Sequence, residues 1–250
     1  MIVLFTDFGL AGPYVGQLHA AVLKEYPAAQ IVNLFADAPA HDPRRAAYLL
    51  AAYAEEFPES AVFVCVVDPG VGSARRALAL EANGRWFVGP DNGLLAIVAR
   101  RAKSPVWWRV TWRPDRLSAS FHGRDLFAPV AARLAASSAP GRDILRTWGE
   151  PLPEGGIDCR AWPDDLAEIV YIDGFGNAMT GLRAAPLSRK PNLILNNGRH
   201  IVYARTFSDV SKGGVFWYEN ANGLAEIAMN CGRADTELEL SVGSPITVQV

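Results

Sequence analysis

Two aspartates stand where a short apolar run ends in a polar turn, a place where a carboxylate can hold or activate a ligand. Asp7 closes Ile2-Val3-Leu4-Phe5-Thr6 and leads into Phe8-Gly9. Asp68 closes Ala61-Val62-Phe63-Val64-Cys65-Val66-Val67 and leads into Pro69-Gly70-Val71-Gly72. In an open α/β sheet ligands bind beyond the carboxyl ends of the strands, so both carboxylates are poised at a crevice floor. Either could instead cap a helix or brace a turn. His122, in Phe121-His122-Gly123-Arg124-Asp125, precedes a helical pattern. It could act as base, donor or proton shuttle, or simply cap that helix. Asp173-Gly174-Phe175-Gly176-Asn177 and Tyr218-Glu219-Asn220-Ala221-Asn222-Gly223 carry short polar side chains. Taken alone, these are turn formers.

Other chemistries lack a motif. Gly70-x-Gly72 misses the third glycine of a dinucleotide fingerprint, and the residues after it lead to a strand pattern, not a helix. No Walker A lysine pattern occurs. His19, His41, His122 and His200 are dispersed without paired spacing, so no metal site is expected. Cys65, Cys159 and Cys231 form neither a CxxC pair nor a disulfide framework. Cys65 reads as a small buried hydrophobe. Trp107, Trp108 and Trp112 suit core or interface packing better than a ligand box.

The elements that must carry these residues are legible in outline. The chain has 250 residues, half of them hydrophobic, and a formal net charge of −2. That is enough for a sizeable core and argues against nucleic-acid binding through bulk positive charge. No apolar stretch reaches the length of a transmembrane helix, and the start shows no basic signal-peptide region. A cytoplasmic protein with no membrane partner is expected. Strands are expected at 2–6, 30–35 and 61–67, and more weakly at 78–80 and 86–88. Helices are expected at 15–26, 44–57, 94–101 and 126–136. The β-α-β-α order points to an α/β N-terminal domain over 1–150 with a mainly parallel sheet covered by helices on both faces. A Pro- and Gly-rich stretch reads as a linker at 151–163. From 164 to 250, strand candidates at 167–172, 192–195, 200–204, 215–218, 224–229 and 246–250 are separated by Asn-Gly turns. They suggest an all-β, barrel-like C-terminal domain.

Six segments occur together and in order: TDFG at 6–9, VVDPGVG at 66–72 with Arg75, GPDNGLL at 89–95, FHGRDLFAPVAA at 121–132, DGFGN at 173–177 and YENANGLAEIA at 218–228. By them the sequence resembles, over essentially its whole length, the adenosine-forming S-adenosyl-L-methionine (SAM) hydrolases. These are also called SAM hydroxide adenosyltransferases (domain of unknown function 62), and are similar in fold to the SAM-dependent fluorinase and chlorinase. The resemblance implies hydrolysis of SAM to adenosine and L-methionine by water attacking ribose C5′. It implies no cofactor, since SAM is the substrate. It also implies a homotrimer whose sites lie between the N-domain of one subunit and the C-domain of the next.

The resemblance assigns catalytic roles to Asp68, Arg75 and His122. Asp68 and His122 would orient the water and take its proton, and Arg75 would pair and fix the Asp68 carboxylate. Which of Asp68 and His122 ends with the proton is left open. Asp7 matches the carboxylate that accepts from the ribose hydroxyls. Asp173 resembles the residue holding the methionine ammonium, and Asn177 the one reading the adenine edge. Ser211 lies where relatives contact the methionine carboxylate, and Ala221 would meet adenine through its backbone. Two places depart from the family pattern. The loop at 33–42 puts His41 or nearby Phe35 where an aromatic residue is usual, and Gly12-Pro13-Tyr14 lacks the acidic residue usual before the tyrosine. Two rival readings are a SAM-dependent halogenase, disfavoured because a carboxylate at the nucleophile site repels a halide, and a SAM- or adenosine-binding regulator with little turnover.

Overall fold

Alternating side chains of the first apolar run build both faces of a sheet. In the computed structural model, which describes residues 1–137, 141–187 and 191–249, β1 (Ile2–Thr6) is buried throughout and pairs in parallel with β2 (Ile31–Phe35) and β3 (Val62–Val66). Ile2 and Leu4 join Val62, Val64 and Val66 in one core layer. That layer also takes Leu18 and Val22 of α1 (Tyr14–Glu25). The intervening residues point to the opposite face. There Phe63 stacks on Phe87 at 4.7 Å, and Phe35 meets Phe5 and the Tyr53 ring of α2 (Pro43–Tyr53). A strand buried on both faces must be apolar at every position, which is why residues 61–67 show no alternation. Asp42 caps α2 by accepting from the Arg45 amide at 3.0 Å, and Pro43 occupies the first turn.

The sheet is mixed, not mainly parallel as the element order suggests. Its strand order is β2-β1-β3-β5-β4-β6-β7, with β4 (Ala77–Ala82), β5 (Arg85–Pro90), β6 (Val106–Val110) and β7 (Gly149–Pro151). The β3–β5 pair is parallel, whereas β4–β5, β4–β6 and β6–β7 are antiparallel. The reason is local. Asn83 and Gly84 both have positive φ, 47° and 77°, and a two-residue loop of this kind folds the chain straight back as a hairpin. Helices α3 (Ala96–Arg101), α4 (Ala128–Ala136) and α5 (Gly141–Trp148) complete this part, and a π-helical turn at Gly123–Phe127 runs into α4.

The chain divides into two compact units, Met1–Ala161 and Trp162–Val250. In the first, the stretch at 151–161 is tied down. Leu152 is buried, and the Ile157 amide donates to Asp91 Oδ1 at 2.7 Å.

The second unit is sheet-rich and antiparallel. One sheet orders β12 (Val215–Glu219), β13 (Leu224–Met229), β9 (Ala178–Arg183) and β8 (Leu166–Ile172). The other orders β11 (His200–Ile201), β10 (Leu193–Leu195) and β14 (Ile246–Val248). A short helix, α6 (Ala234–Glu237), packs beside β13. The strand expected at 200–204 stops at Ile201. That expected at 246–250 is seen to Val248, and Val250 lies outside the described residues. Among the described residues no helix is long and apolar enough to cross a membrane.

Candidate active site

Asp7 directly follows β1, and Asp68 lies two residues beyond β3, the strand paired with it; Thr6 sits opposite Val66. Parallel pairing therefore brings both carboxylates to the same edge of the sheet. They line one cavity of about 300 Å³, together with His41, His122, Tyr14 and Phe121.

Arg75 holds Asp68 in a fork. Its Nε donates to Oδ1 at 2.6 Å and its Nη2 donates to Oδ2. Both side chains are nearly buried, at 8% and 4% exposure, so the pair is largely shielded from solvent screening. The same Nη2 lies 3.2 Å from His122 Nδ1. A guanidinium has no acceptor, so Nδ1 accepts and the proton of the neutral ring sits on Nε2. Burial, and then the positive charge of Arg75, push the His122 pKa below 6.5; Asp68 opposes them without reversing the shift. The ring is therefore uncharged at neutral pH.

Three contacts set this geometry. Gly72 has φ +83°, and a Cβ there would lie 2.7 Å from the Ala119 carbonyl oxygen. Only glycine lets the loop carrying Arg75 approach the loop that leads to His122. Asn92 Nδ2 donates to the Val67 carbonyl at 2.8 Å, holding the chain just before Asp68. Arg76 Nε donates to Asp91 Oδ2 at 2.5 Å on the other side of the loop. The GPDNGLL segment thus braces the Asp68 turn.

Asp7 has a structural task as well. Its Oδ2 accepts from the His41 amide at 2.9 Å, and its side chain is 8% exposed. His41 has φ 57°, and its ring is 84% exposed at the cavity. Of the two residues that could stand in the aromatic position, His41 lines the cavity. Phe35 is buried in the ring cluster behind the sheet. Residues to which the sequence does not assign a role also line the cavity: Phe8, Tyr14 and Phe121 pack together, with ring centroids 5.5–5.9 Å apart, Phe121 edge-on to the other two. Phe8 and Phe121 lie inside the TDFG and FHGRD segments and are readable there; Tyr14 stands in the Gly12-Pro13-Tyr14 segment, which the sequence marks only for the acidic residue it lacks.

In the second unit, Asp173 and Asn177 close the β8–β9 turn. Asp173 Oδ1 accepts from the amides of Phe175 and Asn177, each at 2.9 Å, and Asn177 Nδ2 donates to Asp173 Oδ2 at 3.0 Å. The residues form the turn, and the Asn177 Oδ1 and its second amide hydrogen have lone-pair and donor capacity left. Ala221 is exposed at the tip of the β12–β13 hairpin, and Ser211 is exposed in the turn before β12. Among the described residues no three His, Cys, Asp or Glu side chains gather as a metal site.

Residues 2–142 match the SAM hydroxide adenosyltransferase N-terminal domain, and residues 167–247 match its C-terminal domain. The chain is 39% identical to a (R)-S-adenosyl-L-methionine hydrolase of Salinispora arenicola, over 97% of this chain and 95% of that one. It is 38% identical to the enzyme of the same name from Thermus thermophilus, over 98% of each chain. Among solved structures, an uncharacterized conserved protein from Thermotoga maritima superposes over 100% of both chains with a TM-score of 0.89 and 29% identity. With the two domain matches spanning most of its length, the chain belongs to the SAM hydroxide adenosyltransferase family.

Proposed function

We propose that the protein hydrolyses SAM at ribose C5′, releasing adenosine and L-methionine. The observation that carries this reading is the Asp68–Arg75–His122 constellation at the cavity that Asp7 also lines, in a chain of this family. The leaving sulfonium departs as a neutral thioether, so no general acid is needed; the limiting requirement is a water in line with the C–S bond. The water oxygen bonds to C5′, the C5′–S electron pair goes to sulfur, and the water gives up one proton.

The hydrogen bonding favours Asp68 as the acceptor of that proton. His122 Nδ1 is engaged by Arg75, so its Nε2–H can orient the water oxygen but has no lone pair for the proton. Each Asp68 oxygen, although paired to Arg75, keeps a further lone pair. A carboxylate here also disfavours a halide nucleophile.

In this reading Asp7 accepts from the ribose hydroxyls, Asp173 holds the methionine ammonium, Asn177 and the Ala221 backbone read adenine, and Ser211 meets the methionine carboxylate. The two groups of residues belong to neighbouring subunits of a cytoplasmic homotrimer, no cofactor takes part, and residues 164–250 form a barrel-like domain after the connecting stretch at 151–163. The isolated bridges Glu168–Pro245 and Tyr203–Trp217, at the edges of the two sheets, support the barrel.

The test is turnover of SAM in 18O-labelled water. Adenosine carrying 18O at O5′ is expected. Adenine or S-adenosylhomocysteine as product would overturn the reading, and bound adenosine without turnover would replace it with a regulator.

A further inference from the structure

A carboxylate lies buried in the second unit between neutral partners. Glu226, on β13, is 2% exposed and stands directly across from Tyr218 on β12. Tyr218 Oη donates to Oε1 at 2.6 Å, and Asn220 Nδ2 donates to Oε2 at 2.9 Å. Its neighbours along the strand, Leu224, Ala225, Ile227 and Ala228, are fully buried and apolar. Burial raises the Glu226 pKa against the pull of its two donors, and the Asp173 charge adds to the rise. Keeping an ionisable group in such a place is costly unless it does something an apolar residue cannot.

What it does can be read from Asn220. An asparagine amide can present either end to a loop, and its two ends are nearly the same shape. Glu226 offers only acceptors at that point, so it admits Nδ2 and turns Oδ1 toward the hairpin. There Oδ1 accepts from the amides of Asn222 and Leu224, each at 3.0 Å. The Gly223 amide closes the turn on the Asn220 carbonyl at 3.0 Å, with Gly223 at φ +75°. Ala221 lies inside the loop that these bonds define.

We infer that Glu226 is a positioning residue for the purine-reading hairpin: it orients the Asn220 amide, whose Oδ1 holds the turn that presents the Ala221 backbone. This rests on the reading that the Ala221 backbone meets adenine. Glu226 itself touches no reacting atom.

The experiment measures adenosine and inosine affinity and SAM kinetics on the full chain, with thermal melting as the folding control. Inosine differs from adenosine at the purine edge. In E226L the adenosine Kd and the SAM KM rise about tenfold, kcat stays within about threefold, and the adenosine-to-inosine preference falls toward one. E226Q, whose amide oxygen still accepts from Asn220, stays within about threefold of the unmodified protein. N220D sets two carboxylates face to face and behaves like E226L. The double variant N220D/E226Q exchanges donor and acceptor and restores the preference. N220D and its rescue decide the matter if E226L does not fold. A folded N220D or E226L with unchanged preference overturns the inference, as does an equal loss for both nucleosides. An unmodified protein that does not distinguish adenosine from inosine instead removes the purine-edge reading on which the inference stands.

Discussion

Arg75 and Asp68, seven residues apart in sequence, form a two-pronged ion pair with both side chains almost wholly buried. A loop closed in this way has little freedom, and the same guanidinium reaches His122, 47 residues further on. One cation therefore fixes a carboxylate and the tautomer of an imidazole at the edge of the same cavity.

Replacing Asp68 with asparagine keeps the shape and removes the proton acceptor that the proposed reaction uses. The expected result is a fall in kcat of about 10²–10⁴, the usual worth of a positioned base, with adenosine affinity changed only a few-fold. Steady-state adenosine release and calorimetric binding check this. Because Arg75 loses its buried partner, the variant should also melt earlier than the unmodified protein. A variant that loses affinity as severely as turnover would make Asp68 a binding residue.

The pH profile follows from His122. Its folded pKa lies below 6.5 because burial and Arg75 disfavour the imidazolium. The neutral ring, required for Nδ1 to accept from Arg75, therefore persists below pH 6.5, and the acidic limb of kcat/KM, which reports the free enzyme, should fall there. The stability sign is the same. Between the folded and unfolded pKa values the unfolded chain binds more protons at this site, so stability rises with pH. His122 penalises the fold progressively as pH drops from about 6.5 through the lower folded value. Turnover and melting measured from pH 5 to 8 test both statements. His122→Asn should lose this component of the melting profile, and a limb centred at or above 6.5 would contradict the assignment.

Asp7→Ala should act on binding. A hydrogen bond to a charged group contributes about 1.5–3 kcal/mol, so adenosine affinity should fall by about 10- to 100-fold with kcat largely kept. The variant also frees the His41 amide. Faster amide exchange at His41 is therefore expected alongside the weaker binding. An unchanged adenosine Kd would remove Asp7 from the ribose site.

Gly72→Ala tests the loop approach. The substitution forces an unfavourable φ of +83° and a contact of 2.7 Å with the Ala119 oxygen. A stability loss of about 1–3 kcal/mol is expected. Turnover should drop further than the unfolded fraction explains, because Ala119 leads directly to the His122 turn. Chemical denaturation paired with activity at a temperature where the variant is folded separates the two effects.

Much of this protein is legible in its residue order. The continuous apolar run at 61–67 has the pattern of a doubly buried strand. Pro43 stands near the start of α2, and six ordered motifs carry the family. Where local signals are weak or conflict, the outline fails. Asn83-Gly84 is a strong hairpin signal, yet the surrounding β-α-β rhythm suggests parallel strands. Strand β9 is not legible because Gly181 breaks its pattern; a Cβ there would lie 2.7 Å from Leu166 Cβ, so the glycine serves a close strand approach. Strand β6 is hidden in Trp107-Trp108, which suggests only packing.

The sequence by itself determined residue types and their order: an aspartate after each apolar strand, an arginine past a glycine turn, a histidine before a helix. Those follow from local physics, since burial, turn geometry and capping act over a few residues. Only the tertiary structure decided that Arg75 spans Asp68 and His122, that His41 and not Phe35 faces the cavity, and that Glu226 sets the Asn220 amide. Each is a contact between chain segments brought together by strand pairing or loop packing. Their direction depends on angles and distances of tenths of an ångström, which spacing along a chain does not encode.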